Sequence, residues 1–519
     1  MGEPTEKYIK SVIEHIRSKK ARDNIADELL NHINEQKQDY IDCGMEEKEA
    51  EEKAVIDMGD PIDVGVNLDK IHRPKPQYNL ILAVILIMIV GIAIQYFCYG
   101  VITDHYVYGD SYTQYHFQRM ILGCLIGLFC MIAVYFIDYT VIFKKPKILY
   151  TILTIGIVFA ILTLNISPML SGTYSGLYPQ LVIITVPVIG SIVYRMKNQG
   201  VAGFLKFALI SIFAILCCCI ILNISVAVYV AFGLFFIFIL IMKDNWFQLK
   251  KTEKIAIISF CIILALIFIG IIFKSAKLVY KLKRVEMLFD YESDKYGYGY
   301  QIWILKSIVS ACNNFGAGNP IMLDGKEFSF NYFPYIENAN EFLMFMYRFG
   351  KVPAIILALL IISFIILITI RSFKEKNKMG RFIAVGISGI FICKILFYFM
   401  NNLGYYLIEA QFPFMSYGKV YMVVNGILMG ILLSIFRNTN VVSEKNTFSD
   451  RKYNNDSFFN RFLKVYDDEY IEYNDIYEEA YEKGYKKGYT DGNLSLDSND
   501  KRWFIIDNGR IIINFKNHE

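Results

Sequence analysis

The chain has 519 residues, 55% hydrophobic and 15% aromatic, with mean hydropathy +0.37 and formal net charge +4. So apolar a composition, gathered into long charge-poor runs, excludes a water-soluble enzyme, and the small charge gives no footing for nucleic acid. The 10 cysteines include no CxxC pair, and Cys217, Cys218 and Cys219 stand together inside an apolar run as packing residues.

Residues 1–76 are polar and rich in helix formers. Ile9, Val12, Ile13 and Ile16 recur at helical steps, as do Ile25, Leu29, Leu30 and Ile33. About three helices are predicted, the last running from Glu46 to Met58 and stopped by Asp60-Pro61. The charged start, with no apolar run before about Leu80, argues against a signal peptide. His32 reads as a helix-surface residue. The series Glu28-Leu29-Leu30-Asn31-His32-Ile33, Gly44-Met45 and Met58-Gly59-Asp60-Pro61 resembles the helical prefix domain ahead of some Gram-positive permeases and sensors. That resemblance implies a cytoplasmic docking module whose partner the residues do not name.

Apolar runs then begin near Leu80, Met120, Ile148, Leu181, Leu205, Val226, Ile255, Phe342, Phe382 and Val420. Each approaches the length needed to cross ~30 Å of hydrocarbon, the fourth and sixth being short. The expectation is an all-α polytopic membrane domain of ten helices over 77–437, between the helical domain at 1–76 and a tail at 438–519. Loops carrying Lys144, Lys145 and Lys147; Arg195 and Lys197; Lys250, Lys251 and Lys254; and Arg371, Lys374, Lys376, Lys378 and Arg381 alternate with loops poor in cations. The positive-inside rule places these loops and both termini in the cytoplasm. The longest external loop, 275–341, falls between the seventh and eighth helices. No internal repeat of the inverted-repeat transporter kind is evident.

Two motifs carry the chemistry. Pro413-Phe414-Met415-Ser416-Tyr417-Gly418 is a polar turn before the last run, costly in a membrane unless it faces water or a substrate. In the long loop, Lys283-Arg284 leads through a short apolar stretch to an acidic turn, Gly299-Tyr300-Gln301, a helix with Ser307, and Gly316-Ala317-Gly318. In order and spacing these elements resemble the SEDS family (shape, elongation, division and sporulation; FtsW/RodA/SpoVE), well over 280–436 and elsewhere mainly by layout. The resemblance implies a glycosyltransferase of the bacterial cell membrane that polymerises lipid II on the outer face. It also implies a class B penicillin-binding protein as partner.

Such a reaction deprotonates an acceptor hydroxyl, attacks an anomeric carbon and expels a diphosphate. The family's essential Asp, in a Thr-Asp-Phe step before the eighth helix, aligns here with Glu341 of Glu337-Asn338-Ala339-Asn340-Glu341-Phe342. Glu341 is the candidate general base, with Glu337 as competitor and an interfacial helix-start acid as the bland alternative. Arg284 leads the diphosphate candidates because a planar fork suits phosphate oxygens, followed by Lys283 and Lys281. Gln301, Ser307, Gly316, Gly318, Ser416, Tyr417 and Gly418 complete the candidate substrate wall.

Lys394, inside the ninth run, must face the bundle interior; it is either functional or a structural ion pair, with Glu409 one partner. Asn402 is expected to satisfy local backbone. His105 and His116 lack a third ligand at metal-site spacing, so a divalent cation, Mg2+ or Mn2+, would arrive with the diphosphate.

The family pattern is broken in the loop Ser167–Gln180, which lacks the usual Asn-Gly-Ala-Arg-Arg-Trp stretch. A catalytically degenerate relative serving as scaffold or regulator, and a lipid-linked precursor transporter, therefore stay open beside the polymerase. In the tail, alternating residues flank Asn508-Gly509, a hairpin signal, after a tyrosine- and acid-rich linker.

Overall fold

The computed structural model describes residues 2–102, 110–166, 177–220, 224–259, 283, 285–323, 326–327, 340–406, 408, 410–416, 418–440, 503–507 and 510–514. Arg284, Glu337, Glu409 and Tyr417, most of the seventh apolar run and most of the tail lie outside these residues.

The chain opens with four helices, α1 (Glu3–Glu14), α2 (Lys19–Asp42), α3 (Glu47–Asp57) and α4 (Pro61–His72). The fourth corrects the sequence expectation. Asp60-Pro61 ends α3 but also starts α4: Pro61 takes the first helical position, where its missing N–H costs nothing, and the Asp60 carboxylate accepts the Ile62 N–H at 3.2 Å. Of the eight apolar residues predicted to pack here, all but Ile13 are buried. Glu51 ties three helices together by accepting from Thr5 Oγ1 at 2.6 Å and Lys37 Nζ at 3.2 Å. His32 stands 3.7 Å from Glu35 on the helix surface, as a surface residue should.

The membrane body comprises α5 (Tyr78–Ile102), α6 (Asp110–Phe136), the short α7 (Tyr139–Ile142), α8 (Pro146–Ile166), α9 (Leu177–Ile183), α10 (Thr185–Tyr194), α11 (Gly200–Ile220) and α12 (Ile224–Lys243). It continues with α13 (Tyr300–Ala311), α14 (Glu341–Phe349), α15 (Lys351–Phe373), α16 (Lys378–Asn402) and α17 (Lys419–Arg437). Among the described residues, 7 helices are long and apolar enough to cross a membrane: α5, α6, α11, α12, α15, α16 and α17. Of the ten expected runs, the third and fourth lie on α8 and on α9–α10, whose apolar stretches are shorter, and the seventh is described only to residue 259. The eighth run is split. Gly350, at φ 102, separates α14 from α15, so the predicted single helix from Phe342 is a short helix followed by a span.

Helices α16 and α17 are buried along most of their length, whereas α15 exposes Ile355, Ile356, Leu359 and Leu360, the face an apolar solvent requires. Backbone approach sets the core. A Cβ at Gly426 of α17 would collide with the Gly127 carbonyl of α6, so only glycine allows this crossing. Asp244, just beyond α12, accepts two bonds from Arg381 Nη2 of α16 at 2.7 and 2.6 Å. The segment after α4 is stitched to the end of α17: the Lys75 N–H donates to the Arg437 carbonyl at 2.9 Å, and Gln77 Nε2 to the Phe436 carbonyl at 3.2 Å.

Small strands Met322–Leu323 (β1) and Lys326–Glu327 (β2) pair antiparallel. The segment Phe448–Glu519 forms a separate unit. In it, Trp503–Asp507 (β3) and Arg510–Asn514 (β4) pair antiparallel, with Asp507 opposite Arg510, around the predicted Asn508-Gly509 turn.

Candidate functional site

Glu341 is the first residue of α14, and the helix start explains its surroundings. The opening N–H groups of a helix have no partner within it. Here α16 supplies them: the Phe342 N–H donates to the Tyr398 hydroxyl at 3.0 Å, and the Leu343 N–H to Asn402 Oδ1 at 2.8 Å. Asn402 is held in turn by donating Nδ2 to the Tyr398 carbonyl at 2.8 Å. Asn402 thus satisfies backbone, as expected, but on α14 as well as on its own helix.

The Glu341 side chain is 4% exposed and receives three neutral donors. Tyr398 donates its hydroxyl to Oε2 at 3.0 Å, Ser416 Oγ donates to the same oxygen at 3.1 Å, and Gln95 Nε2 reaches Oε1 at 3.4 Å. Gln95, from α5, also donates to the Met415 carbonyl at 3.1 Å. Ser416 is oriented by the Phe412 N–H, which donates to its oxygen at 2.8 Å. The turn that carries it is strained: Phe414 holds φ 73, a left-handed backbone unusual for a bulky residue and found preferentially at functional sites. Glu341 precedes the span α15, and burial without an adjoining cation pushes its carboxyl up to about 7.

Polar atoms stand unpartnered around this carboxylate. Gln95 Oε1 and both side-chain atoms of the adjoining Asn340 are buried without a hydrogen bond among the described residues. Buried amides without partners carry a desolvation cost that a hydroxyl-rich ligand would relieve. Glu341, Gln95, Tyr398 and Ser416 therefore form one buried, hydrogen-bonded cluster around a carboxylate.

The other predicted residues divide. Ser416 joins Glu341, and Gly418, at φ 140, starts α17 beside Tyr421. Gly316 and Gly318 donate backbone N–H groups to the Phe349 and Tyr347 carbonyls at 3.0 and 2.7 Å, so they brace α14 from below the candidate base. Ser307 spends its hydroxyl on the Trp303 carbonyl at 2.8 Å, within α13, and Gln301 lies half-buried on that helix. Lys283 is exposed, with Nζ 5.0 Å above the Tyr298 ring. Lys394 has no exposed surface; its Nζ donates to Asn425 Oδ1 at 2.7 Å. Arg284, Glu337 and Tyr417 are outside the described residues, as is Glu409. No three His, Cys, Asp or Glu side chains gather among the described residues.

Sequence reasoning missed Gln95, Asn340 and Tyr398. Gln95 had a signal, a lone amide in the first apolar run. Tyr398 is one helical turn beyond Lys394, on the same face of α16.

Residues 77–441 match the family model for cell cycle proteins of the FtsW/RodA/SpoVE type. The chain belongs to that family. It is a multi-pass membrane protein of the SEDS class. Among solved structures it is similar to a chain of a peptidoglycan synthase complex that coordinates polymerization and crosslinking, with 13% identity and TM-score 0.54 over 70% of this chain and 98% of that one. At that identity the likeness speaks for the fold. A crystal structure of a point mutant of the rod shape determining protein RodA from Thermus thermophilus also matches, at 12% identity and TM-score 0.44, over 70% of this chain and 97% of that one. No curated protein matches the chain.

Proposed function

We propose that this protein is a peptidoglycan glycosyltransferase that polymerises lipid II at the outer face of a bacterial cell membrane. Glu341 is its general base. The observation that carries the reading is the convergence on one carboxylate of Ser416, from the box before the last span, and Tyr398, from the span before that box. A carboxylate met by neutral donors, with its carboxyl near 7, accepts a hydroxyl proton far better than an exposed acid near 4.5. The acceptor hydroxyl would take the place of the Gln95 amide, whose 3.4 Å contact is the longest of the three. Arg284 and Lys283 belong to the leaving diphosphate in this reading, and a divalent cation, Mg2+ or Mn2+, would travel with that group. A class B penicillin-binding protein is the partner that cross-links the strand, and the loops rich in Lys and Arg, with both termini, are cytoplasmic.

One observation favours a second reading, a membrane scaffold that has lost the chemistry: Glu341 is only 4% exposed, closed over by its own donors. The deciding experiment incubates purified protein with lipid II, alone and with the partner, and compares wild type with Glu341→Gln and Glu337→Gln. Polymer from wild type and Glu337→Gln but not from Glu341→Gln supports the polymerase. Partner binding without polymer under any condition supports the scaffold, and translocated precursor without polymer supports a transporter.

A further inference from the structure

Among the described residues Lys394 is the one Lys or Arg that is buried. It lies in the middle of α16, where an unpaired ammonium is costly. None of its described contacts is an acid. Its Nζ donates to Asn425 of α17, lies 4.5 Å from the centroid of the Tyr421 ring, and lies 5.5 Å from that of Tyr229 on α12. Two aromatic faces and one amide oxygen are the solvation of a cation held on purpose inside the bundle.

The contacts lead from Lys394 to Glu341 by two routes. On α16, Tyr398 stands one turn above Lys394 and donates to Glu341 Oε2 at 3.0 Å. Across the interface, Tyr421 sits on the ammonium and donates its hydroxyl to the Gln411 carbonyl, at the start of the strained turn. The next residue, Phe412, holds Ser416 through its N–H, and Ser416 donates to the same Glu341 oxygen. Both donors that fix that oxygen are therefore anchored beside Lys394.

We propose that Lys394 is a positioning residue for Glu341: it seats Tyr421 and the 411–416 turn against the carboxylate. Among the described residues, the groups facing Glu341 supply no charge. Gln95 from α5, Asn402 and Tyr398 from α16, Ser416 from the turn and Tyr421 from α17 are neutral. Arg348, on the carboxylate's own helix, is exposed two turns away. The seating keeps both hydroxyls aimed at one oxygen, and those donors stabilise the ionised carboxylate. Calling that carboxylate a base rests on the proposed polymerase reading; the seating does not.

The test is an infrared titration of Glu341 in the full-length protein in lipid nanodiscs, isolated as the difference between each protein and its own Glu341→Gln counterpart. Wild type, Lys394→Met and Lys394→Arg are compared, with thermal melts alongside. The proposal expects Lys394→Met to raise the Glu341 midpoint by about one pH unit or more and Lys394→Arg to leave it within a few tenths. Where wild type polymerises lipid II, the acid limb of the Lys394→Met rate profile should move up by the same amount. An unmoved midpoint in a folded Lys394→Met protein overturns the proposal, as does an equal shift in the arginine variant. If Lys394→Met does not fold, Tyr421→Phe decides: it breaks the tie to Gln411, and an unchanged Glu341 carboxylate band there also overturns the proposal. Absence of polymer from wild type would count against the polymerase reading and leave the midpoint comparison standing.

Discussion

Ser416 Oγ and Glu341 Oε2 lie 3.1 Å apart although 75 residues separate them in the chain. Their meeting joins the start of α14 to the turn before α17, and Tyr398 on α16 completes the contact. Removing either hydroxyl leaves a buried oxygen with fewer donors, which costs roughly 1–3 kcal/mol of native-state stability. Each hydroxyl also accepts a backbone N–H, Tyr398 from Phe342 and Ser416 from Phe412, so either change leaves a buried donor unpaired as well. The expected result is a lower melting temperature for both Tyr398→Phe and Ser416→Ala, with lipid II turnover reduced about tenfold or more in both. Turnover at the wild-type rate in both variants would remove the hydroxyl pair from the mechanism.

The pH dependence of activity and stability should run in opposite directions. Burial raises the Glu341 carboxyl from an ordinary value of 4.5 to about 7 in the folded protein. A general base must be ionised, so turnover should fall as pH drops through about 7. Stability follows the proton instead. Between 4.5 and about 7 the folded state binds a proton that the unfolded state has released. Glu341's contribution is thus fully present below the unfolded value and is lost as pH rises through the folded one. Glu375, between α15 and α16, acts the same way, since burial pushes it also up to about 7. Melts from pH 5 to 8 should therefore slope downward, Glu341→Gln should flatten them in part, and adding Glu375→Gln should flatten them further.

Much of this architecture was legible in the sequence because apolar length and charge alternation are local properties. The positions of α5, α6, α11, α12, α16 and α17 follow from them directly. The division of the eighth run at Gly350 did not, although Arg348, Gly350, Lys351 and Pro353 interrupt the apolar pattern there, because such an interruption does not say whether the helix breaks, as the positive φ of Gly350 does. Nor did α4, where Asp60-Pro61 reads equally as a stop and as a start. At the candidate site, Glu341 and Ser416 were found by motif, each within its own segment. Gln95 and Tyr398 were missed because their role is tertiary: nothing local says which of many polar residues on apolar helices will meet at one carboxylate. Lys394 was singled out by its cost in the membrane; its partners among the described residues are Asn425 and two tyrosines, and Glu409 lies outside them.

The α6–α17 crossing predicts opposite effects for two glycine-to-alanine changes. A methyl group at Gly426 has no room against the Gly127 carbonyl, and backbone cannot swing aside as a side chain does. Overpacking of this kind costs typically ~1–3 kcal/mol. At Gly156 of α8 a Cβ meets nothing within 4 Å, so alanine there should be neutral or stabilise by about 0.4–1 kcal/mol through the unfolded chain. Thermal melts of the two purified variants make the comparison. Gly426→Ala melting at or above Gly156→Ala would show that the helices do not approach this closely.

The Asp244–Arg381 pair clamps α12 to α16, the helix that carries both Lys394 and Tyr398. Arg381 Nη2 meets both carboxylate oxygens, and Lys378 adds a weaker contact at 3.5 Å. The two principal side chains are only 12% and 16% exposed, so each charge is largely desolvated and depends on the other. Asp244→Asn leaves the guanidinium buried opposite a neutral amide and should cost about 1–3 kcal/mol, discounted from the fully buried case for the remaining exposure. Removing both charges, as Asp244→Leu with Arg381→Leu, abolishes the desolvation cost along with the attraction and should be less harmful than either single change. Activity supplies the second readout. If the clamp sets the position of α16, turnover should fall in Asp244→Asn by more than the loss of folded protein accounts for, because Tyr398 and Lys394 move with the helix. A double variant whose cost equals the sum of the singles would show that the two charges do not interact, and the clamp would have to be abandoned as a determinant of the site.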